Sequence, residues 1–443
     1  MDSGYPQHLV EAFRKKTPKS RGETERAAAI IPYGSPSGLG FFLLPHEIFI
    51  ERGDGCYVWD ADGNRYLDLF GGDWLLPLGH GNRQVREAIT AQLVKGTTFG
   101  GPAVGLGYEL ASLIRERMPS VEMIRCATSG TEANQNAMRL ARAFTGRGKI
   151  AKLSGAYHGT ADVLLLSNGL NTDPAYVPPG LIPGTTQEVV LLPPNDRAAC
   201  ENIIEREKDD LAAVLLEPIL GVCGFLPNSR EFVHRMREIT RRYGILLIFD
   251  EVVTMPLDVG GAQGLYGIVP DLTTFGKAIG GGLPLAAYGG RRDVMGLLDP
   301  HQHDGMPPVA IASTMGGMPI CLAAGIAALK QLTPAAHRHL HALGTHLRDG
   351  IAALAHEHDV PLQATGVGQF VGIHWTPTEV VDYPSFVTSN RQIVGRICFS
   401  LAIQGFLAPF LGVFVLSTPM TIADIDRLLA ALEQALRDNN LIS

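Results

Sequence analysis

Charge, paired cysteines and unbroken apolar runs are all scarce in this 443-residue chain. Only 18% of its residues are charged, and 37 Lys plus Arg stand against 44 Asp plus Glu, a formal charge of −7. That balance provides no basic field for a polyanion, which excludes nucleic acid as a partner. The apolar stretches are short of a membrane span. Even Leu211 to Leu226 is broken by Glu217 and Pro218, whereas a span needs roughly 18 or more uninterrupted residues. The first thirty residues carry Arg14, Lys15, Lys16, Lys19, Arg21 and Arg26 without the apolar core of a secretory leader. A cytosolic location is therefore expected. The six cysteines (Cys56, Cys126, Cys200, Cys223, Cys321, Cys398) are scattered and form no CxxC pair. Neither a zinc cage nor a disulfide framework is indicated, and they read as reduced core residues.

What is abundant is apolar and turn-forming: 46% hydrophobic residues, 51 Gly and 29 Pro. This supports a large core, and the length calls for one large domain with a smaller satellite. Residues 1–75 read as an N-terminal arm and hairpin segment, 76–329 as the large domain and 330–443 as a small C-terminal domain. Up to about Leu44 the pattern is weak, and Pro32 to Gly40 is too turn-rich for regular helix. Tyr57 to Asp68 alternates around Asp62-Gly63-Asn64, which predicts a tight β-hairpin.

An α/β rhythm follows. Val121–Thr128, Lys149–Leu153, Val189–Leu192, Leu211–Leu216, Ile245–Asp250, Leu272–Phe275 and Leu285–Tyr288 read as strands. Thr131 to Phe144 reads as a helix with Ala133, Ala137, Leu140, Ala141 and Phe144 on one face. A second stripe, Phe232, Met236, Ile239 and Tyr243, ends at Gly244, where glycine suits the left-handed cap. Strand–helix–strand repetition predicts a doubly wound, mostly parallel sheet that binds ligands at the carboxyl ends of its strands. Toward the C-terminus, strands are expected around Gly366 to Trp375 and Val413 to Ser417. A closing helix should begin at Thr421 and Asp424 and bury Ile425, Leu428, Leu429, Leu432 and Leu436.

Four features fall at strand ends. Ser129-Gly130-Thr131 opens a helix, where unpaired N–H groups and the positive dipole can hold a phosphate; a plain N-cap is the ordinary alternative. Asp250 emerges from an apolar strand, so its carboxylate needs a cation or several donors. Lys277 follows an apolar strand and precedes Gly280-Gly281-Gly282, where loss of water favours a neutral amine able to form a Schiff base. A lysine there can also simply snorkel to solvent. Tyr157-His158 supplies an aromatic. A Schiff-base lysine, a phosphate nest, an acid for a pyridinium nitrogen and a ring to cover it are what pyridoxal 5′-phosphate (PLP) demands.

With Trp59 to Asp68, Leu78-Gly-His80, Thr128-Ser-Gly-Thr-Glu-Ala133, Glu217-Pro218, Phe249-Asp-Glu-Val252, Gly276 to Pro284 and Ser313-Thr314, the chain resembles the class III, fold-type I PLP-dependent aminotransferases from about Glu51 to its end. The run of glycines after Lys277 and Tyr288-Gly-Gly290 is similar to the glutamate-1-semialdehyde aminomutase and β-amino-acid transaminase branch. The resemblance implies a PLP-dependent transferase fold of type I: a large doubly wound, mostly parallel sheet domain, a small C-terminal α/β domain and an N-terminal arm at the substrate mouth. It implies that Lys277 holds the cofactor and later moves a proton between the α-carbon and the cofactor C4′. Asp250 would face the pyridine nitrogen, Val252 would pack beneath the ring, and Tyr157 would stack above it with His158 alongside. Ser129, Gly130 and Thr131 would bind the phosphate, joined by Thr314 of a neighbouring copy, so a homodimer with shared active sites is expected. Glu217 would stand near the Asp250 end of the ring.

The resemblance departs from its pattern where the branch places arginines for a substrate carboxylate. Pro32 to Phe41 has none, Ala408-Pro-Phe-Leu-Gly412 is apolar, and Met255-Pro256-Leu257 replaces Gly-Phe-Arg. An unpaired carboxylate in such a pocket would lose several kcal/mol. The expected activity is amino transfer between an amine or amino acid and a keto or aldehyde acceptor, with a substrate uncharged at that end unless Arg65 or Arg83 swings in. The alternatives are a 2,1-aminomutase and a PLP-binding protein without turnover. His301 and His303 lack a third ligand and read as surface residues. Trp74 fits the substrate mouth or the core equally well. Arg241-Arg242 reads as a solvated helix end.

Overall fold

The structure is a computed structural model that describes residues 4–36, 44–99, 105–171, 173 and 176–443. The chain divides into two compact units: Met1–Asn82 with Arg338–Val380 and Pro384–Ser443, and Arg83–His337 with Val381–Tyr383.

The second unit is built on a seven-stranded sheet. In chain order its strands are β1 (Met123–Ala127), β2 (Lys149–Leu153), β3 (Val189–Leu192), β4 (Leu211–Leu216), β5 (Leu246–Asp250), β6 (Leu272–Phe275) and β7 (Ala286–Gly290). They lie in the order β1-β7-β6-β5-β4-β2-β3. Neighbours from β6 to β3 are parallel, while β7 runs antiparallel to both β6 and β1. The link 276–285 is too short for the crossover that a parallel neighbour of β6 would need. In β4 and β5 every residue is buried, and since adjacent side chains point to opposite faces, both faces of the sheet are covered.

Helix α1 (Gly130–Thr145) lies across one face. Ser129 caps its start and Gly146, in the left-handed conformation, closes it. Ala133, Ala137, Leu140 and Ala141 are fully buried in the core with Ala213, Ile248 and Tyr288. Phe144, expected on the same stripe, is 38% exposed instead, with the Arg291 guanidinium 5.4 Å from its ring. Helix α2 (Arg230–Tyr243) starts at the Ser229 cap and ends at Gly244 with φ 62°. Arg241 and Arg242 at its end are exposed.

In the first unit, Tyr57–Asp60 and Arg65–Asp68 form the expected hairpin, with Tyr57 opposite Leu67 and Gly63 at φ 86°. The weak N-terminal pattern conceals two helices, Gln7–Lys16 and Pro18–Ala28. The first buries Leu9, Val10 and Phe13 in a cluster with Tyr66 and Phe399, so tertiary contacts stabilise a segment too short to be helical alone. The strands Leu362–Thr365, Phe370–Trp375 and Val413–Val415 form a small sheet. Helix Ile422–Asp438 opens with a complete Thr421/Asp424 capping box and buries the expected stripe, Leu429 only partly. Residues 37–41 of the arginine-free segment Pro32 to Phe41 lie outside the described residues. All six cysteines are free and all but Cys126 are buried. No single helix among the described residues is long and apolar enough to cross a membrane.

Candidate active site

Because β1, β2, β4, β5 and β6 point the same way, the residues that follow them emerge along one edge of the sheet. Those residues are Ser129, Tyr157, Glu217, Asp250 at the end of β5, and Lys277. The edge lies wholly within the second unit.

Asp250 is 4% exposed and heavily supported. Its Oδ2 accepts from Asn134 Nδ2 at 2.7 Å and bonds His158 Nδ1 at 2.7 Å, and its Oδ1 accepts from the Val252 N–H at 3.0 Å. Three donors replace the water the carboxylate loses on burial. Asn134 is held in turn: its Oδ1 accepts from Thr274 Oγ1 at 2.7 Å and its Nδ2 also reaches the His158 carbonyl at 3.0 Å. His158 therefore supports Asp250 from behind. Burial lowers its pKa against the opposing pull of Asp250, which favours a neutral ring donating through Nδ1. Its Nε2 is buried without a hydrogen-bond partner.

At the start of α1, the N–H groups of Gly130 and Thr131 belong to the first turn and have no intrahelical acceptor. Ser129 Oγ accepts from the Glu132 N–H at 3.2 Å, so the hydroxyl acts as the N-cap. Thr131 Oγ1 accepts from the Thr160 N–H at 3.2 Å. Close approach demands glycine here. A Cβ on Gly130 would lie 3.0 Å from Val252 and one on Gly276 3.1 Å from it, while one on Gly159, at φ 100°, would lie 2.2 Å from Thr131 Oγ1. Val252 thus sits between the helix start and the segment carrying Lys277.

Lys277 is half-buried and has φ 49°, a left-handed conformation that costs a non-glycine residue on the order of 1–2 kcal/mol. Strain of this kind concentrates at functional sites. Glu217 is 3% exposed, with Oε2 accepting from the Tyr157 N–H and Oε1 from the Gly221 N–H, each at 3.1 Å. Burial and the nearby Asp250 push its carboxyl up to about 8. Thr314 is exposed.

The sequence reading missed Asn134, Thr274 and Lys152. Asn134 carried a signal: it is a polar residue on the apolar stripe of α1, beside Ala137 and Ala141. Thr274 and Lys152 looked like ordinary strand residues. Glu251, next to Asp250, points elsewhere; its carboxyl accepts from the Ala262 and Gln263 N–H groups and anchors the helix Gly261–Tyr266. His301 is exposed, and no cluster of metal-ligating residues occurs among the described residues.

Over residues 44–436 the chain matches the family described as Aminotransferase class-III. It belongs to that family. The glutamate-1-semialdehyde 2,1-aminomutase 2 of Bacillus pumilus is 39% identical over 424 residues, covering 94% of this chain and 97% of that protein. Among solved structures, an omega-transaminase from Sphaerobacter thermophilus superimposes with a TM-score of 0.91 at 36% identity, over 95% of this chain and 98% of the other. A β-phenylalanine aminotransferase from Variovorax paradoxus does so at 0.89 and 34%, over 98% and 97%.

The protein is accordingly a PLP-dependent transaminase enzyme of fold type I. The residues on the sheet edge fit that cofactor. A supported carboxylate, a helix N-terminus with unpaired N–H groups, glycines that leave room around Val252, and a strained lysine are the donor set it requires.

Proposed function

We propose that this class III aminotransferase moves an amino group between an amine or amino acid and a keto or aldehyde acceptor by a ping-pong cycle, in the cytosol and as a homodimer. When bound, PLP supplies an aldehyde that takes up amines and a ring that withdraws electrons. Lys277 would hold the cofactor through its amine and would act as the base and acid that carries a proton during the transfer. Asp250, fixed by Asn134 and His158, would hold the pyridine nitrogen and keep its proton in place. Tyr157 and Val252 would pack against the ring and exclude water from it. The N–H groups of Gly130 and Thr131, with Ser129, receive the phosphate. Glu217 ties Tyr157 to the sheet. The single observation that carries this reading is the arrival of Lys277, Asp250 and the start of α1 on one sheet edge.

A second copy is supported by apolar surface on the second unit. Val94 is 88% and Tyr108 80% exposed, with Leu93, Phe99 and Met315 also exposed. Thr314 of that copy completes the phosphate site. Six free cysteines suit a reducing compartment.

The substrate in this reading lacks a free carboxylate at the position that the β-amino-acid branch neutralises with arginine. Support comes from Pro32 to Phe41, which has no arginine, and from Ala408-Pro-Phe-Leu-Gly412, apolar where the branch carries a second arginine. Steady-state comparison of an acidic β-amino acid, its ester and the corresponding amine tests this. The ester and amine should turn over faster; much faster turnover of the free acid overturns it.

Aminomutase activity is the second reading, favoured by the 39% identity to the Bacillus pumilus protein. Loading the enzyme with pyridoxamine 5′-phosphate and a single substrate separates the two. A transaminase stops after one half-reaction, and sustained turnover identifies an aminomutase.

A further inference from the structure

Lys152, next to last in β2, is 0% exposed, an environment lysine almost never occupies without compensation. The compensation comes from carbonyls. Its Nζ donates to Leu166 O at 2.7 Å, Ala156 O at 2.8 Å and Leu164 O at 3.2 Å, with Ser167 O at 3.4 Å. An ammonium has three donors, and three carbonyls from the two arms of one loop receive them. That loop is closed at its base by the Gly155 N–H, which donates to Ser167 O at 2.8 Å. Between the arms stand Tyr157, whose N–H reaches Glu217, and His158, whose ring reaches Asp250.

We infer that Lys152 is a positioning residue of the active site: its buried ammonium gathers the carbonyls of Ala156, Leu164 and Leu166 and so sets where Tyr157 and His158 stand. The consequence at the cofactor rests on the site reading given above; the clamp on the loop does not. An apolar side chain on β2 would fill the same volume without the cost of burying a charge, but it would leave three carbonyls unpaired and the loop unanchored.

The titratable groups facing Lys152 are Glu217 at the end of β4, Cys223 in the following turn and His158 in the loop itself. Burial brings Lys152 down to about 7, with Glu217 and Cys223 opposing. The closed loop therefore holds this proton less tightly than water would.

Hydrogen exchange on the holoenzyme tests the inference, with Lys152→Met and Lys152→Gln beside the wild type. Amides of segment 154–167 should exchange faster in Lys152→Met, on the order of tenfold per lost hydrogen bond. Those of β5 should be unchanged, and the visible circular dichroism of the bound cofactor should fall. Lys152→Gln, which keeps two donors, should lie between. Wild-type protection of 154–167 in folded Lys152→Met overturns the inference. If both variants fail to fold, wild-type exchange corrected for intrinsic rate decides it. Opening the loop returns Lys152 to water, where it binds a proton more readily, so protection of 154–167 that rises relative to β5 between pH 7 and pH 9 supports the clamp, and constant relative protection overturns it. A Tyr157→Leu control keeps the two readings apart. If it leaves the cofactor dichroism intact while Lys152→Met opens the loop, the clamp stands and the placement of Tyr157 over the ring fails.

Discussion

Asn134 on α1 donates to Asp250 at the end of β5 across 2.7 Å of space and 116 positions of sequence. The same amide group reaches the His158 carbonyl, so one side chain ties the helix, the acidic strand end and the aromatic loop together. A hydrogen bond to a charged, buried group contributes about 1.5–3 kcal/mol. Asn134→Leu, close in volume, should therefore weaken PLP retention by roughly ten- to a hundredfold, read by equilibrium dialysis of the cofactor. Retention equal to wild type would show that Asp250 needs no support from α1.

Lys277→Ala should abolish transamination while thermal unfolding of the apoenzyme stays close to wild type. The side chain is half-buried and contributes little to the core, and the strained φ of 49° remains in either case. Borohydride reduction of wild-type holoenzyme followed by peptide mapping should place the modified residue at position 277. An unmodified Lys277 would remove the basis of the proposed chemistry.

Gly159→Ala should lower both stability and cofactor affinity. The added Cβ falls 2.2 Å from Thr131 Oγ1 and the backbone sits at φ 100°; such strain costs on the order of 1–3 kcal/mol. Differential scanning calorimetry with and without PLP checks it, and a melting temperature equal to wild type would contradict the geometry.

Stability should rise between pH 8 and pH 10 in the wild type relative to Lys152→Met. The folded lysine is lowered to about 7 by burial, whereas the unfolded one keeps its proton to about 10.4. The unfolded state thus binds more protons across this window, and raising the pH favours the folded state. Chemical denaturation of both proteins across the window measures the difference. A difference that is flat or falls with pH would contradict a dry Lys152.

The strands of the large sheet were legible in the sequence because both of their faces are buried. Leu211–Leu216 is apolar at every position, so composition alone marks it. The hairpin at Gly63, the helix end at Gly244 and the Thr421 capping box were also local, each set by residues within a few positions. The N-terminal helices were not legible, because Leu9, Val10 and Phe13 gain their stability from Tyr66 and Phe399, far along the chain. Phe144 misled for the same reason: periodicity placed it on the buried stripe, but the core ends before it reaches that turn.

The candidate site divides along the same line. The chain by itself determined which chemical groups are present at the strand ends, because Ser129, Asp250 and Lys277 each follow a segment whose apolar pattern can only be a buried strand or open a helix. Their order on one edge, the turning of His158 toward Asp250, and the recruitment of Asn134 and Lys152 were decided by tertiary structure. Those contacts join residues from separate strands and helices, and hydrogen bonds between such distant partners leave no periodic trace in the sequence.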